Sequence, residues 1–124
     1  MANTHASAGA LTGLKRLVKS YETSAADTAL TVRTPATGTR VRRLVAVIVR
    51  YSATVTKTAT VTYNAGHGAG YDSLLNTISI TSGTDGRWVP EEPILIAADD
   101  TIDVVAAAGG GGITSAVTIL TEEQ

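Results

Sequence analysis

The 124-residue chain contains no cysteine and no phenylalanine, and only three prolines, one tryptophan and two histidines. Without cysteine there is no disulfide framework, no thiolate zinc site and no cysteine nucleophile. His5 and His67 are too few for a multi-histidine metal site within one chain. No stretch approaches the roughly 18 consecutive apolar residues of a membrane-spanning helix. The opening Met1-Ala2-Asn3-Thr4-His5 has neither the basic start nor the apolar core of a secretory signal. Neither a membrane partner nor a cofactor is expected.

In place of aromatics the chain carries 20 Thr, 19 Ala, 12 Val, 12 Gly and 8 Ile. Thr, Val and Ile are stiff at χ1 and suit a pleated, half-buried surface, so the composition leans to β. A chain of this length is one domain with room for a core. The net charge of −1 conceals a split. Residues 1–57 hold nine of the ten Lys/Arg and two carboxylates, a net +7, whereas residues 58–124 hold one Arg against nine carboxylates, a net −8. Such blocks form either complementary patches or pairs that cancel when the halves of a sandwich interleave.

Small residues without periodicity make 1–13 an N-terminal arm, ahead of a domain over 14–124. Alternation predicts a strand from Leu14 to Tyr21, with a short helix as the rival, and a short strand over 28–33. Thr34-Pro35-Ala36-Thr37-Gly38 is a turn. Arg40 to Tyr51 is a strand whose centre, Leu44-Val45-Ala46-Val47-Ile48-Val49, is apolar on both faces and therefore covered on both sides. Thr54 to Tyr63 alternates strictly, threonines on one side and Val55, Ala59, Val61 and Tyr63 on the other. A strand with Leu74, Ile78 and Ile80 inward follows the 64–70 loop, and Gly83-Thr84-Asp85-Gly86 is expected to turn the chain. Strands over 93–97, 101–107 and 113–120 complete the set, with a turn at Gly109 to Gly112 before the last. About eight strands with short connections predict an all-β fold, an antiparallel β-sandwich that is jelly-roll-like and carries an extended N-terminal arm. An immunoglobulin-type sandwich would lack its Cys…Trp…Cys hallmark here.

Candidate chemistry is sparse. His67 and Asp72, in Gly66-His67-Gly68-Ala69-Gly70-Tyr71-Asp72, could pair as base and orienter, but a glycine-rich surface loop explains them as well. Gly109 to Gly112 lacks the Lys-Ser/Thr pair of a phosphate loop. Asp99, Asp100 and Asp103 do not follow the spacing of a calcium loop. Lys15, Arg16, Lys19, Arg33, Arg40, Arg42, Arg43 and Arg50 could meet phosphates, yet no aromatics interleave with them, and pairing with carboxylates suits their planar forks better. Trp88 reads as a core anchor, with a sugar platform as its alternative. No catalytic residue and no metal ligand is nominated.

From Tyr71 onward, Tyr71-Asp72-Ser73-Leu74-Leu75, Trp88-Val89-Pro90-Glu91-Glu92-Pro93-Ile94-Leu95-Ile96, Asp99-Asp100-Thr101-Ile102-Asp103-Val104 and Ile113 to Ile119 form a sequence of strand and turn residues. It resembles the small β-sandwich virion proteins of tailed bacteriophages, of the capsid decoration or cement type. The resemblance implies a non-enzymatic structural protein on the capsid surface of the virion, made in the host bacterial cytoplasm. Its implied partners are the major capsid protein or other virion proteins and further copies of itself, as a trimer, with neither membrane nor nucleic acid. The residues expected to bind partners lie outside the resembling stretch and rest on the arm, the two-faced strand and the arginines: Leu11 and Leu14, Val45 and Val47, and Arg40, Arg42, Arg43 and Arg50. A glycan- or receptor-binding domain of a phage fibre or tail tip, using Trp88, Tyr71 and the 64–72 loop, is the alternative; a His67/Asp72 hydrolase is the third.

Overall fold

A computed structural model of the chain describes residues 16–123. The arm over 1–13, with Leu11, and Leu14 at the expected start of the first strand lie outside the described residues. Seven strands follow in order: β1 (Arg16–Thr23), β2 (Leu30–Arg33), β3 (Arg42–Asn64), β4 (Ser73–Trp88), β5 (Ile94–Ile96), β6 (Thr101–Ala106) and β7 (Ser115–Glu123), with one 3₁₀ turn at Ala69–Tyr71. Every pairing is antiparallel.

The strands form two layers that share β3. Its first half pairs with β7 on one side and with β5 and the end of β4 on the other, and β1 adds beyond β7. Its second half pairs with β6 and with the start of β4, and β2 adds beyond β6. The layers are thus β1-β7-β3-β5 and β2-β6-β3-β4. Counting β3 once in each layer gives the eight positions and two four-stranded sheets of a jelly roll, as the sequence predicts.

The count of seven arises because the strands expected over 40–51 and 54–63 are one continuous strand of 23 residues. Nothing at Ser52-Ala53 breaks extended backbone, so the chain bends from one layer to the other without a turn. Tyr51 anchors this corner, donating its hydroxyl to the Ala107 carbonyl at 2.7 Å. β4 makes the same passage, and the turn expected at Gly83 to Gly86 does not exist. Gly86 instead lies opposite Val49, where an added Cβ would sit 2.6 Å from Ile78 Cγ2 and 2.8 Å from Ile80 Cγ1. Glycine there permits close approach at the corner, not reversal. The turn before β7 is real: Gly110, Gly111 and Gly112 have φ of 79°, 55° and 81°, a left-handed run that only glycine adopts at little cost.

Lacking phenylalanine, the interior is closed by β-branched side chains. Val47, Val49, Val61, Ile96, Ile102, Val104, Val117 and Ile119 are fully buried, and Trp88, Tyr63, Leu75, Ile94 and Ile113 pack around them. Leu74, expected inward, is 63% exposed. A register shift between Val61 and Thr62 places Leu74 opposite Thr62, so Leu75 reaches the core in its stead. Trp88 is the core anchor that the sequence suggests.

Candidate interaction surface

Strand register decides which side chains leave each layer outward. In the first layer, cross-strand partners put Leu17, Glu122, Arg43 and Leu95 in one row, then Lys19, Leu120 and Ala46, then Tyr21, Thr118, Ile48 and Arg87, then Thr23, Ala116, Arg50 and Asp85. Apolar side chains stand on this face among charged ones (Glu122, Arg43, Lys19, Arg87, Arg50 and Asp85): Leu17, Tyr21 and Leu95 are 60%, 53% and 63% exposed. Ile48 and Leu120 are half-buried between them, lining with Tyr21 and Arg50 a depression of about 330 Å³. The second layer presents a different exterior: Thr31, Thr60 and Thr77 with Val105 in one row, Arg33, Asp103, Thr62 and Leu74 in the next, and Thr58 beside Ser79. The threonine row is a solvated face. The leucine, isoleucine and tyrosine face is the one that water would leave most readily.

The charge split largely resolves within the fold. Arg16 and Arg40 both meet Glu123, at 3.3 and 2.7 Å, and Arg43 meets Glu122 at 2.8 Å. Arg33 grips Asp103 through Nε and Nη2 at 2.7 and 2.8 Å, and Arg50 stands 3.7 Å from Asp85. Each pair joins the basic half of the chain to its acidic half. Because the arginine of each pair stays open to water, the pairs are worth little individually, but they neutralise groups expected to reach across to neighbours.

The residues predicted to bind partners are therefore divided. Val47 has no exposed surface because it faces inward opposite Ile119; this corrects its assignment to a partner contact. Arg42, 3% exposed, is corrected likewise: its Nη1 and Nη2 donate to the carbonyls of Pro35 and Asp100 at 2.7 and 3.0 Å. Burial lowers the Arg42 pKa, and Glu123 opposes the shift. Arg40 and Arg43, paired as above, border a cavity of about 430 Å³ with Val41 and Leu95. Val45 is the extra residue of a bulge between Leu44 and Ala46, half-buried beside the Val89–Pro93 segment. Arg50 stays exposed. Leu17, Tyr21, Leu95 and Leu120 are not among the expected partner residues, although the sequence carries one signal: Leu120 is apolar yet out of step with the inward row of Val117 and Ile119.

The loops at the far end of β3 hold structural carboxylates. Asp100 accepts the Tyr63 hydroxyl at 2.6 Å and the Gly66 N–H at 2.7 Å; the Gly66 bond, then the Tyr63 bond, keep its pKa low. Burial opposes ionisation of Asp103, but hydrogen bonds from Arg33, Asn64 and Thr101 together hold its pKa below the usual value. Asp72 accepts the Ala65 N–H at 2.9 Å and closes the loop, while His67 makes an edge contact with Tyr71 at 5.8 Å between centroids. Among the described residues no group of three or more His, Asp or Glu could hold a metal ion, and no helix is long and apolar enough to cross a membrane. Trp88 pairs with Val47 in the first layer and Tyr63 with Ser73 at the far end of the β3–β4 ladder, so Trp88 and the 64–72 loop do not converge on one site.

No family model matches this sequence, and no curated protein matches it. Among solved structures PirA is similar, with a TM-score of 0.53 at 12% identity over 82% of this chain and 92% of that chain. RmlC from Streptococcus suis, solved with dTDP-D-xylose, gives 0.39 at 7% identity over 88% of this chain and 44% of that chain. The coat protein of Tobacco streak virus gives 0.40 at 10% identity over 90% and 88%. At 12% identity the likeness to PirA concerns the fold alone and says nothing about what the chain binds.

Proposed function

We propose that the chain is a structural virion protein without enzymatic activity, a capsid decoration or cement protein of a tailed bacteriophage that stabilises the head by bridging neighbouring capsid subunits. The observation that carries this reading is the contrast between the two exteriors. A two-layer sandwich needs no third layer for its core, yet the outside of β1-β7-β3-β5 presents Leu17, Tyr21, Ile48, Leu95 and Leu120 while the other exterior is threonine-rich. Apolar surface concentrated on one face, against Leu74 and Val105 on the other, suits a partner surface laid against it. The partner is the major capsid protein or another virion protein, with the arm over 1–13 reaching a neighbouring subunit. Attachment at several equivalent points gives strong overall binding from individually weak contacts.

The test uses particles of the parent phage assembled without this chain. Purified protein is expected to co-sediment with them and to raise their resistance to heat. Leu95→Glu, at an exposed position off the core, is expected to melt like the unmodified chain and to lose at least tenfold in particle binding. Particles that ignore the unmodified protein, or bind the variant equally, overturn the proposal.

A further inference from the structure

We infer that two copies of this chain pair antiparallel through the free edge of β1, about a two-fold axis passing between their Ser20 residues. The inference stands on the edge itself and holds whether or not the chain serves a virion.

β1 ends its sheet: its eight residues pair with β7 on one side and with no strand on the other among the described residues. Which backbone groups face the open side follows from two contacts. The Ser24 N–H donates to the Ser115 carbonyl at 2.8 Å, and the Val18 carbonyl accepts the Thr121 hydroxyl at 3.4 Å. Even-numbered residues therefore turn their backbone toward β7, and alternation leaves the N–H and C=O of Leu17, Lys19, Tyr21 and Thr23 facing outward. Long, straight edges of this kind are templates for strand addition. The ladder of β1 with β7 has no register shift. The other long edge, on β4, belongs to a ladder with three, and such irregularity blunts an edge. β2 and β5 have only four and three residues.

Symmetry then selects the register. A two-fold pair must match residues of equal parity, so the centre falls on one residue facing its own copy. Centred on Lys19, the pairing sets two ammonium groups directly opposite, which destabilises it. Centred on Tyr21, it matches only 19, 21 and 23 through outward-facing backbone. Centred on Ser20, all four outward residues are used: Leu17 with Thr23 and Lys19 with Tyr21, each twice. That register makes about eight new backbone hydrogen bonds, two per matched pair. It also places each Lys19 beside the Tyr21 ring of the second copy, a contact that Lys19 already makes at 5.6 Å with the Tyr21 ring of its own chain. On the inner side, Val18 meets Glu22 and Arg16 meets Ser24, with no like charges opposed. The result is a continuous eight-stranded sheet that sets the two apolar exteriors side by side. A free edge closed about a two-fold axis holds a pair of copies, in place of the expected trimer.

The test is made on the full-length protein, whose lack of cysteine makes single cysteines diagnostic. Sedimentation equilibrium is expected to give the mass of two 12.7 kDa chains. Across the axis the Ser20 Cα atoms lie about 4.5 Å apart, within disulfide range, so Ser20→Cys is expected to cross-link under mild oxidation. Lys19→Cys and Tyr21→Cys are expected to cross-link at most a tenth as well. Tyr21→Lys, at a position 53% exposed, opposes Lys19 across the axis and is expected to weaken the dimer at least tenfold; adding Lys19→Glu restores it to within threefold. A mass of one chain at 100 μM (about a hundredfold above a micromolar Kd), a mass of three chains, or cross-linking that is strongest at 19 or 21 overturns the inference. Should Tyr21→Lys fail to fold, the cysteine series decides alone.

Discussion

Gly83 and Gly86 stand three residues apart in one strand, yet alanine at the two positions should act in opposite directions. At Gly86 the new Cβ would meet Ile78 Cγ2 at 2.6 Å and Ile80 Cγ1 at 2.8 Å. Both isoleucines are buried, at 5% and 3% exposure, and the contact falls near their branch points, so neither yields by a simple rotamer change. Forcing a methyl group into such packing costs about 1–3 kcal/mol, against about 0.4–1 kcal/mol regained by stiffening the unfolded chain. The net loss is about 1–2 kcal/mol. At roughly 3–6 °C per kcal/mol for a domain of this size, Gly86→Ala should melt about 3–12 °C lower. At Gly83 the closest atoms would be Ile80 Cγ2 and the Thr81 carbonyl oxygen, both at 3.7 Å, which is ordinary contact. Gly83→Ala should therefore be neutral or raise the midpoint by a few degrees through the unfolded state alone. Thermal unfolding followed by circular dichroism at neutral pH measures both. Equal shifts in the two variants, or an unchanged midpoint for Gly86→Ala, would refute the corner geometry of β4.

Tyr51→Phe keeps the packing at the β3 corner but removes the hydroxyl from the Ala107 carbonyl. It should cost about 1–2 kcal/mol in urea unfolding. Burial raises the Tyr51 pKa, so its contribution is complete below the ordinary tyrosine pKa of about 10 and is lost as pH rises through the elevated folded value. The deficit of the variant should accordingly shrink between pH 8 and pH 11, and a constant deficit would disprove the assignment. Asp103 has a lowered pKa, so its contribution is present above about pH 4 and disappears as pH falls through the folded value. Asp103→Asn should cost about 1 kcal/mol at pH 7, a modest figure because Arg33 is 58% exposed, and should converge with the unmodified chain near pH 2.

The architecture was legible because it depends on local chemistry. Alternating Val, Ile and Thr marked the strands, and Gly109 to Gly112 marked a turn that does require left-handed backbone. What stayed hidden depends on position in the assembled sheets. Glycine at 86 serves close approach and glycine at 110–112 serves reversal, and the residue type alone does not separate the two. Val47 and Ile48 look equivalent in an apolar run, but register sends Val47 to the core and leaves Ile48 on the exterior. Leu95 could not be placed on the exposed face until Arg43 was known to be its partner. Arg40, Arg43 and Arg50 lie in a basic half whose acids are Glu22 and Asp27; the carboxylates they meet are some 35–83 residues away in the chain, a pairing that only the topology reveals.

That cancellation decides what kind of force can hold this protein to anything else. If its arginines reached across to carboxylates on neighbours, raising salt would screen the contact, and affinity would fall steeply with ionic strength. With Arg16, Arg40 and Arg43 held by their own Glu123 and Glu122, the exterior of the first layer offers Leu17, Tyr21, Ile48, Leu95 and Leu120, with Lys19, Arg50 and Arg87 as the exposed cations beside them. Burial of such groups depends weakly on salt over the same range. Particle binding measured at 0.05 M and 0.5 M NaCl (Debye lengths of about 14 and 4 Å) should therefore change by less than threefold. A loss beyond tenfold would return the arginines to an intermolecular role and mean that their pairs within the chain open on contact.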